Sequence, residues 1–257
     1  MKRLLLIGIL LNAIHVFAQE EIKVQQKQWS FEDKMQPAFV AEVPQTNAKD
    51  AINLWEKTLV PKNIFDTFKK LPKMEKQEKN EWVIHKVLVE EISPDSLDVY
   101  TRIDETKDRI TFAALFDNSG SFIGGNSNQA ENAQKFVRNY ALDLYRQGVN
   151  DELDDLKKEL KKLESDIKAY EKDNRKLDRK SEESESILSA HSENSTAATT
   201  LELDEEKLKE IKKEEKALEK YAKTIDKNSD KQKKLNKEID KIEDEIKDVE
   251  RKLKNIK

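Results

Sequence analysis

A histidine held by an aspartate can move a proton, and three such side chains can hold zinc. Beyond residue 18 the chain keeps two histidines, His85 and His191, neither with a second histidine at ligand spacing, and it has no cysteine. A zinc or nucleophilic site therefore has little to assemble from. Asp95, Asp98, Asp104 and Asp108 suit acid–base work in pairs, but they fall in and around expected β-turns, where aspartate serves the turn itself. "GSFIGG" (120–125) offers backbone amides to an anion ahead of an expected helix, yet a turn followed by an N-cap accounts for it and no phosphate-reaching lysine follows. No Gly-Lys pair occurs, which excludes the P-loop of the chromosome-maintenance ATPases. The expectation is no catalytic residue, no metal and no cofactor. Two features suit binding instead. Lys62, Lys69, Lys70, Lys73, Lys76 and Lys79 gather around one charged stretch, expected as a solvated loop, with an anionic envelope surface as the alternative. Trp29 and Phe31 stand in a polar segment and could anchor a protein partner.

The elements that must position these residues divide the chain near residue 150. After it, 59 of 107 residues are charged, and the aromatics are Tyr170 and Tyr221 alone. All five Gly, all five Pro, all three Trp and all nine Phe come before it, so core and turn residues are confined to the first part. The formal net charge of −4, with lysines and carboxylates interleaved, points to no nucleic-acid partner.

Residues 1–18 read as a secretory signal peptide. Lys2 and Arg3 precede an apolar stretch from Leu4 to Phe17, and Val16 and Ala18 set a cleavage point before Gln19. Fourteen residues are too few to span a bilayer, which takes roughly 20. No other stretch is long enough for a membrane span, and Gln19 is not the cysteine of a lipoprotein. The expected location is periplasmic or secreted.

Residues 19–35 read as a flexible leader that ends as a strand or docks its two rings. The fold class expected for 36–148 is α+β, in the order β-α-β-β-β-β-α. The strands are 37–43, 82–92, 97–104, 109–116 and 121–125, and the first helix is 46–59 with Asn47 as N-cap. "NIFDTFKKL" (63–71) adds a short helix, 72–81 a charged loop, and Asn128 with Glu131 the spacing of a capping box. The strands make a small antiparallel sheet, and Phe136, Val137, Tyr140, Ala141 and Leu144 mark the helix that covers it. This order resembles small exported domains of unknown function with a TATA-binding-protein-like fold, over about residues 30–148. The resemblance implies a fold and no functional residue.

From Val149 the apolar residues step by 4 and 3 through Leu153, Leu156, Leu160, Leu163, Ile167, Tyr170, Asn174 and Leu177, a heptad seam. It weakens at Ser181 and Ser184, returns at Leu188, and dissolves in 189–200. A second run carries Ile211, Leu218, Ile225, Leu235, Ile239, Ile242, Ile246, Val249 and Leu253, with a register slip expected between Ile211 and Leu218. Residues 149–257 are therefore expected to form a long antiparallel two-helix coiled-coil hairpin. If Leu188 meets Leu201, paired numbers add to about 389, which sets Leu163 near Ile225, Leu153 near Leu235, and Lys257 near Asn132. A seam shared between two chains, hence a homo-oligomer, is the alternative.

The functional expectation is a non-catalytic exported scaffold or interaction module with unknown protein partners. The layout also resembles Skp-type periplasmic chaperones, whose helical hairpins extend from a β-containing body. That resemblance implies a holdase; the slightly acidic charge and larger α+β part depart from it. A small-ligand-binding domain is the third possibility.

Overall fold

A computed structural model of the protein describes residues 21–31, 34–60, 72–107, 109–197 and 205–256, with backbone alone at Phe31 and 193–197. The signal-peptide residues, the short helix expected at 63–71 and Asp108 lie outside the described residues. The chain divides into two compact units, Met1–Glu152 with Val249–Lys257, and Leu153–Asp248.

The first unit is built on β1 (Val24–Phe31), β2 (Lys34–Pro44), β3 (Glu75–Glu78), β4 (Glu81–Val87), β5 (Leu97–Glu105), β6 (Arg109–Asn118) and β7 (Ser121–Phe122). All pair antiparallel in the order β1-β2-β6-β5-β4-β3, with β7 beside β6. Helix α1 (Ala48–Leu59) and the start of α2 (Asn128–Ala197) complete the α+β architecture. The alternation along β5 defines the faces: Leu97, Val99, Thr101 and Ile103 are buried, while Asp98, Tyr100, Arg102 and Asp104 are half-buried on the other side. On the buried side Trp55 of α1 meets Phe112 of β6 at 4.9 Å and Tyr140 of α2 at 4.6 Å. Its indole N–H donates to Thr101 Oγ1 at 2.7 Å, and the Tyr140 hydroxyl donates to the Ala51 carbonyl at 2.8 Å. Both polar atoms in this aromatic core are thus satisfied, as burial requires.

Local sequence explains the boundaries. Asn47 accepts from Asp50 N at 2.9 Å and starts α1 as expected. Ser127, not Asn128, caps α2, since its Oγ accepts from Ala130 N at 3.1 Å. The two-residue turn Ser119–Gly120 has φ of 55° and 90°, the primed geometry that suits a twisted hairpin. Strand β4 stops at Val87 rather than continuing to residue 92, because the register shifts after Ile84 and Lys86 has φ 56°.

Two strands exceed the expected order. Residues 24–31, where the leader was expected to end as a strand or to dock its two rings, pair along their whole length with β2. Residues 75–78, expected as charged loop, form an edge strand whose four residues are all exposed. Neither shows an apolar alternation, so neither carries the usual signal of a strand.

In the second unit, α2 and α3 (Glu205–Asn255) run antiparallel. Asn228 Nδ2 donates to Asn174 Oδ1 at 2.8 Å, Ser184 Oγ to Glu214 Oε2 at 2.7 Å, and His191 Nε2 lies 3.3 Å from Glu210 Oε2. Lys231 lies 5.2 Å over the Tyr170 ring. Paired numbers therefore add to about 400, not 389. Leu163 falls opposite the neighbourhood of Lys237 rather than Ile225, and Leu153 opposite that of Lys247 rather than Leu235. The reason is that α2 does not stop near Leu188. It continues to Ala197, because 189–197 has no glycine or proline to end it. The expected slip between Ile211 and Leu218 is absent, since the seam passes through Glu214, which is held by Ser184. Among the seam residues Leu153, Ile242 and Val249 are buried. Leu156, Leu160, Leu163, Ile167, Tyr170, Leu177, Ile225, Leu235, Ile239, Ile246 and Leu253 are half-buried.

Candidate functional site

The sheet face turned away from α1 and α2 gathers His85, Asp98, Asp104 and Trp29 from among the side chains that sequence reasoning selected. Its floor is Ala38, Val40, Ala113 and Leu115, all buried, with Trp29, Tyr100 and Phe122 packed against it. These three rings come from β1, β5 and β7. The pairing register sets Trp29 opposite Gln36, Tyr100 opposite Leu115, and Phe122 opposite Asp117. Such a row needs small residues beneath it, and Ala38 and Ala113 supply them.

Polar groups fix the rings at both ends. Arg102 lies 5.4 Å over the Trp29 ring, with Nε donating to Asp104 Oδ2 at 3.0 Å and Nη1 to Glu81 Oε1 at 3.3 Å. These two bonds fix the guanidinium within cation–π distance of the ring. At the other end the His85 and Tyr100 rings meet edge-on at 6.4 Å, and His85 Nδ1 lies 2.9 Å from Asp98 Oδ2. Lys86 N donates to Asp98 Oδ1 at 2.9 Å, made possible by the bulge that turns this amide inward. Burial alone would raise the Asp98 pKa. The hydrogen bonds from His85 and Lys86 N outweigh it and hold the carboxyl below its ordinary 3.8.

His85 and Asp98 thus form a pair that the sequence placed only as a sheet residue and a turn residue. Among the described residues no group of three or more His, Asp and Glu could hold a metal. Asp95 and Asp104 are not brought to it. Asp95 N bonds Ser93 Oγ at 3.1 Å in a turn, and Asp104 accepts from Asn80 Nδ2 at 3.1 Å. His191 sits in the hairpin seam against Glu210, not in solvent. Of the "GSFIGG" amides, Gly120 N donates to Asp117 Oδ1 at 2.7 Å and Ile123 N to the Phe116 carbonyl at 2.8 Å. Gln26 accepts from Gly125 N at 2.7 Å and donates to Gly125 O at 3.2 Å in the amide orientation that satisfies both. Of the lysine cluster, Lys76 lies 6.0 Å from the Trp82 ring centre, while Lys62, Lys69 and Lys70 lie outside the described residues.

Between Trp29, Ser30, Gln77, Trp82 and Arg102 lies a cleft with about 20 Å³ of room, close to the space one water needs. A small-molecule site usually offers hundreds of Å³. A wider, open depression of about 490 Å³ adjoins Lys27, Val40, Glu42 and Arg109, where Arg109 Nη1 and Glu42 Oε2 are already paired at 3.4 Å. Among the described residues every buried side-chain nitrogen and oxygen has a hydrogen-bond partner, so none is poised for a ligand. What this face offers is aromatic area framed by fixed charges, the composition of an interface centre and rim. Trp29 belongs to it; Phe31 closes β1, and its side chain is outside the described residues. Tyr100 and Phe122 were missed in the sequence because each reads as an ordinary strand residue. Only the register shows that they share a face with Trp29. No family model matches the chain, nor does any curated protein or solved structure.

Proposed function

We propose that this chain is an exported, non-catalytic interaction protein of the cell envelope, with the sheet unit as a docking base and the helical hairpin as a spacer or second docking surface. The observation that carries the reading is the aromatic row Trp29, Tyr100 and Phe122, of which Trp29 and Tyr100 border a cleft too small for a metabolite. Large rings on a rigid sheet favour a protein surface over a small molecule. Export rests on the sequence of residues 1–18, and the kinship with TATA-binding-protein-like domains is proposed for the fold alone. The test is a photo-crosslinking residue at Tyr100, in cells, compared with one at exposed Lys49 of α1. One discrete adduct from Tyr100 and none from Lys49 is expected. Equal, diffuse labelling from both positions would sink the proposal.

The antiparallel hairpin favours a second reading, a holdase that shelters unfolded clients between hairpins. Replacing residues 189–211 by a short Gly/Asn linker joins Leu188 to Lys212 in the observed register. A holdase would lose suppression of aggregation of an unfolded outer-membrane protein on this change. The leading reading expects no suppression by either form.

A further inference from the structure

The two edges of the sheet are built differently. β3 has four residues, Glu75, Lys76, Gln77 and Glu78, and its pairing with β4 slips after Lys76. Short, charged and irregular edges resist strand addition. β1 has eight residues, no proline, one charge (Lys27), and an unbroken register against β2. It carries none of those protections.

The direction of its free groups follows from one hydrogen bond. Gln134 Nε2 of α2 donates to Val24 O at 2.8 Å, so that carbonyl points away from β2. In an antiparallel strand the N–H and C=O of one residue share a side, and the side alternates. The main-chain groups of Gln26, Gln28 and Ser30 therefore point outward too, while Val24 is already engaged by Gln134.

We propose that two copies of this chain pair through β1, antiparallel and edge to edge, about a two-fold axis at Gln28. That register sets Gln28 against Gln28 of the second copy and Gln26 against Ser30, using the three outward residues and leaving Val24 to Gln134. On the aromatic face it places Lys27 directly opposite Trp29 of the second copy, twice over, an ammonium beside an indole. The register centred on Lys27 is disfavoured on two counts. It opposes Lys27 to Lys27, and it draws Ser30 onto Val24, whose carbonyl is taken. The pairing joins the two aromatic faces side by side and stands independently of the envelope role proposed above.

Because the chain has no cysteine, single cysteines report the geometry directly. A hydrogen-bonded pair has Cα atoms about 5.5 Å apart, within disulfide reach. The purified Gln28→Cys chain is expected to oxidise to a covalent dimer, and Gln25→Cys, which would lie about 20 Å from its copy at ~3.3 Å per residue, is not. Light scattering over a concentration series should give twice the chain mass for the unmodified protein. Gln28→Pro removes one outward N–H at a position an edge strand tolerates. It should give a single-chain mass with an unchanged circular dichroism spectrum. If that variant does not fold, Lys27→Glu serves instead and should move the monomer–dimer midpoint to higher concentration. Gln28→Cys oxidising no faster than Gln25→Cys, or a dimer that survives Gln28→Pro and Lys27→Glu alike, overturns the proposal.

Discussion

Gly148 lies inside α2, where alanine would ordinarily be preferred by about 1 kcal/mol. A Cβ there would stand 1.9 Å from the Gln45 carbonyl oxygen and 3.0 Å from its carbon. Gln45 itself has φ 55° and donates through Nε2 to Glu152 Oε2 at 2.9 Å, so its backbone cannot readily withdraw. Gly148→Ala should therefore destabilise the protein by about 2 kcal/mol or more, against the sign of helix propensity, because overpacking costs on the order of 1–3 kcal/mol. Thermal or urea unfolding checks it. The need for glycine here is close approach, which only tertiary structure shows. A second residue-scale test concerns Tyr140, whose hydroxyl pKa burial raises well above 10.0. The unfolded tyrosine ionises near 10, while the folded one keeps its proton. Its contribution is thus full below pH 10 and is lost as pH rises from there toward the folded value. Tyr140→Phe should flatten the alkaline fall of stability above pH 10, at the expense of about 1 kcal/mol at neutral pH for the bond to Ala51 O.

Among the elements, the hairpin of the second unit shows how a polar seam sets register. Asn174 and Asn228 meet only when paired numbers add to about 400, and Asn228 is buried. Asn174→Leu alone leaves that buried amide unpaired and should cost about 1–3 kcal/mol. Adding Asn228→Leu should recover the loss or exceed it, while relaxing the register. Denaturant unfolding gives the energies, and cysteine pairs placed across the two helices report the register. The periodicity of both helices was legible from Leu153 to Leu177 and from Leu235 to Leu253, because seven-residue spacing survives in any context. Their offset was not, since periodicity is unchanged by sliding one helix past the other. The pairs that fix it, Asn174 with Asn228 and Ser184 with Glu214, read as interruptions of the seam. The sheet tells the same story. β5, which alternates, and β6, which is apolar on both faces, were found nearly to the residue, whereas β1 and β3 are polar edges recognisable only by what they pair with.

At the scale of the whole molecule, the first unit is discontinuous: it takes in Val249–Lys257 from the far end of the chain. Lys252 reaches the Gln45 side chain and lies 5.5 Å over the Tyr145 ring, and Arg146 Nη2 donates to the Ile256 carbonyl at 3.3 Å. Removing residues 249–256 should therefore destabilise the sheet unit, although no strand is touched. Amide exchange at Ala141–Val149 of α2 should rise in the shortened chain, and unchanged protection there would refute the coupling. The candidate site was half legible at this scale. Trp29 stood out by chemistry, but Tyr100, Phe122 and the His85–Asp98 pair were joined to it only by the pairing of strands that are separated in sequence. The discontinuity also has a biosynthetic meaning. Residue 249 leaves the ribosome long after the last strand, so the sheet unit stays incomplete until the whole hairpin has been synthesised. A prematurely terminated product would carry every strand and still lack that closure, exposing Tyr145 and Gln45 to proteolytic surveillance. Closure of the sheet unit thus reports that synthesis has passed through both hairpin helices.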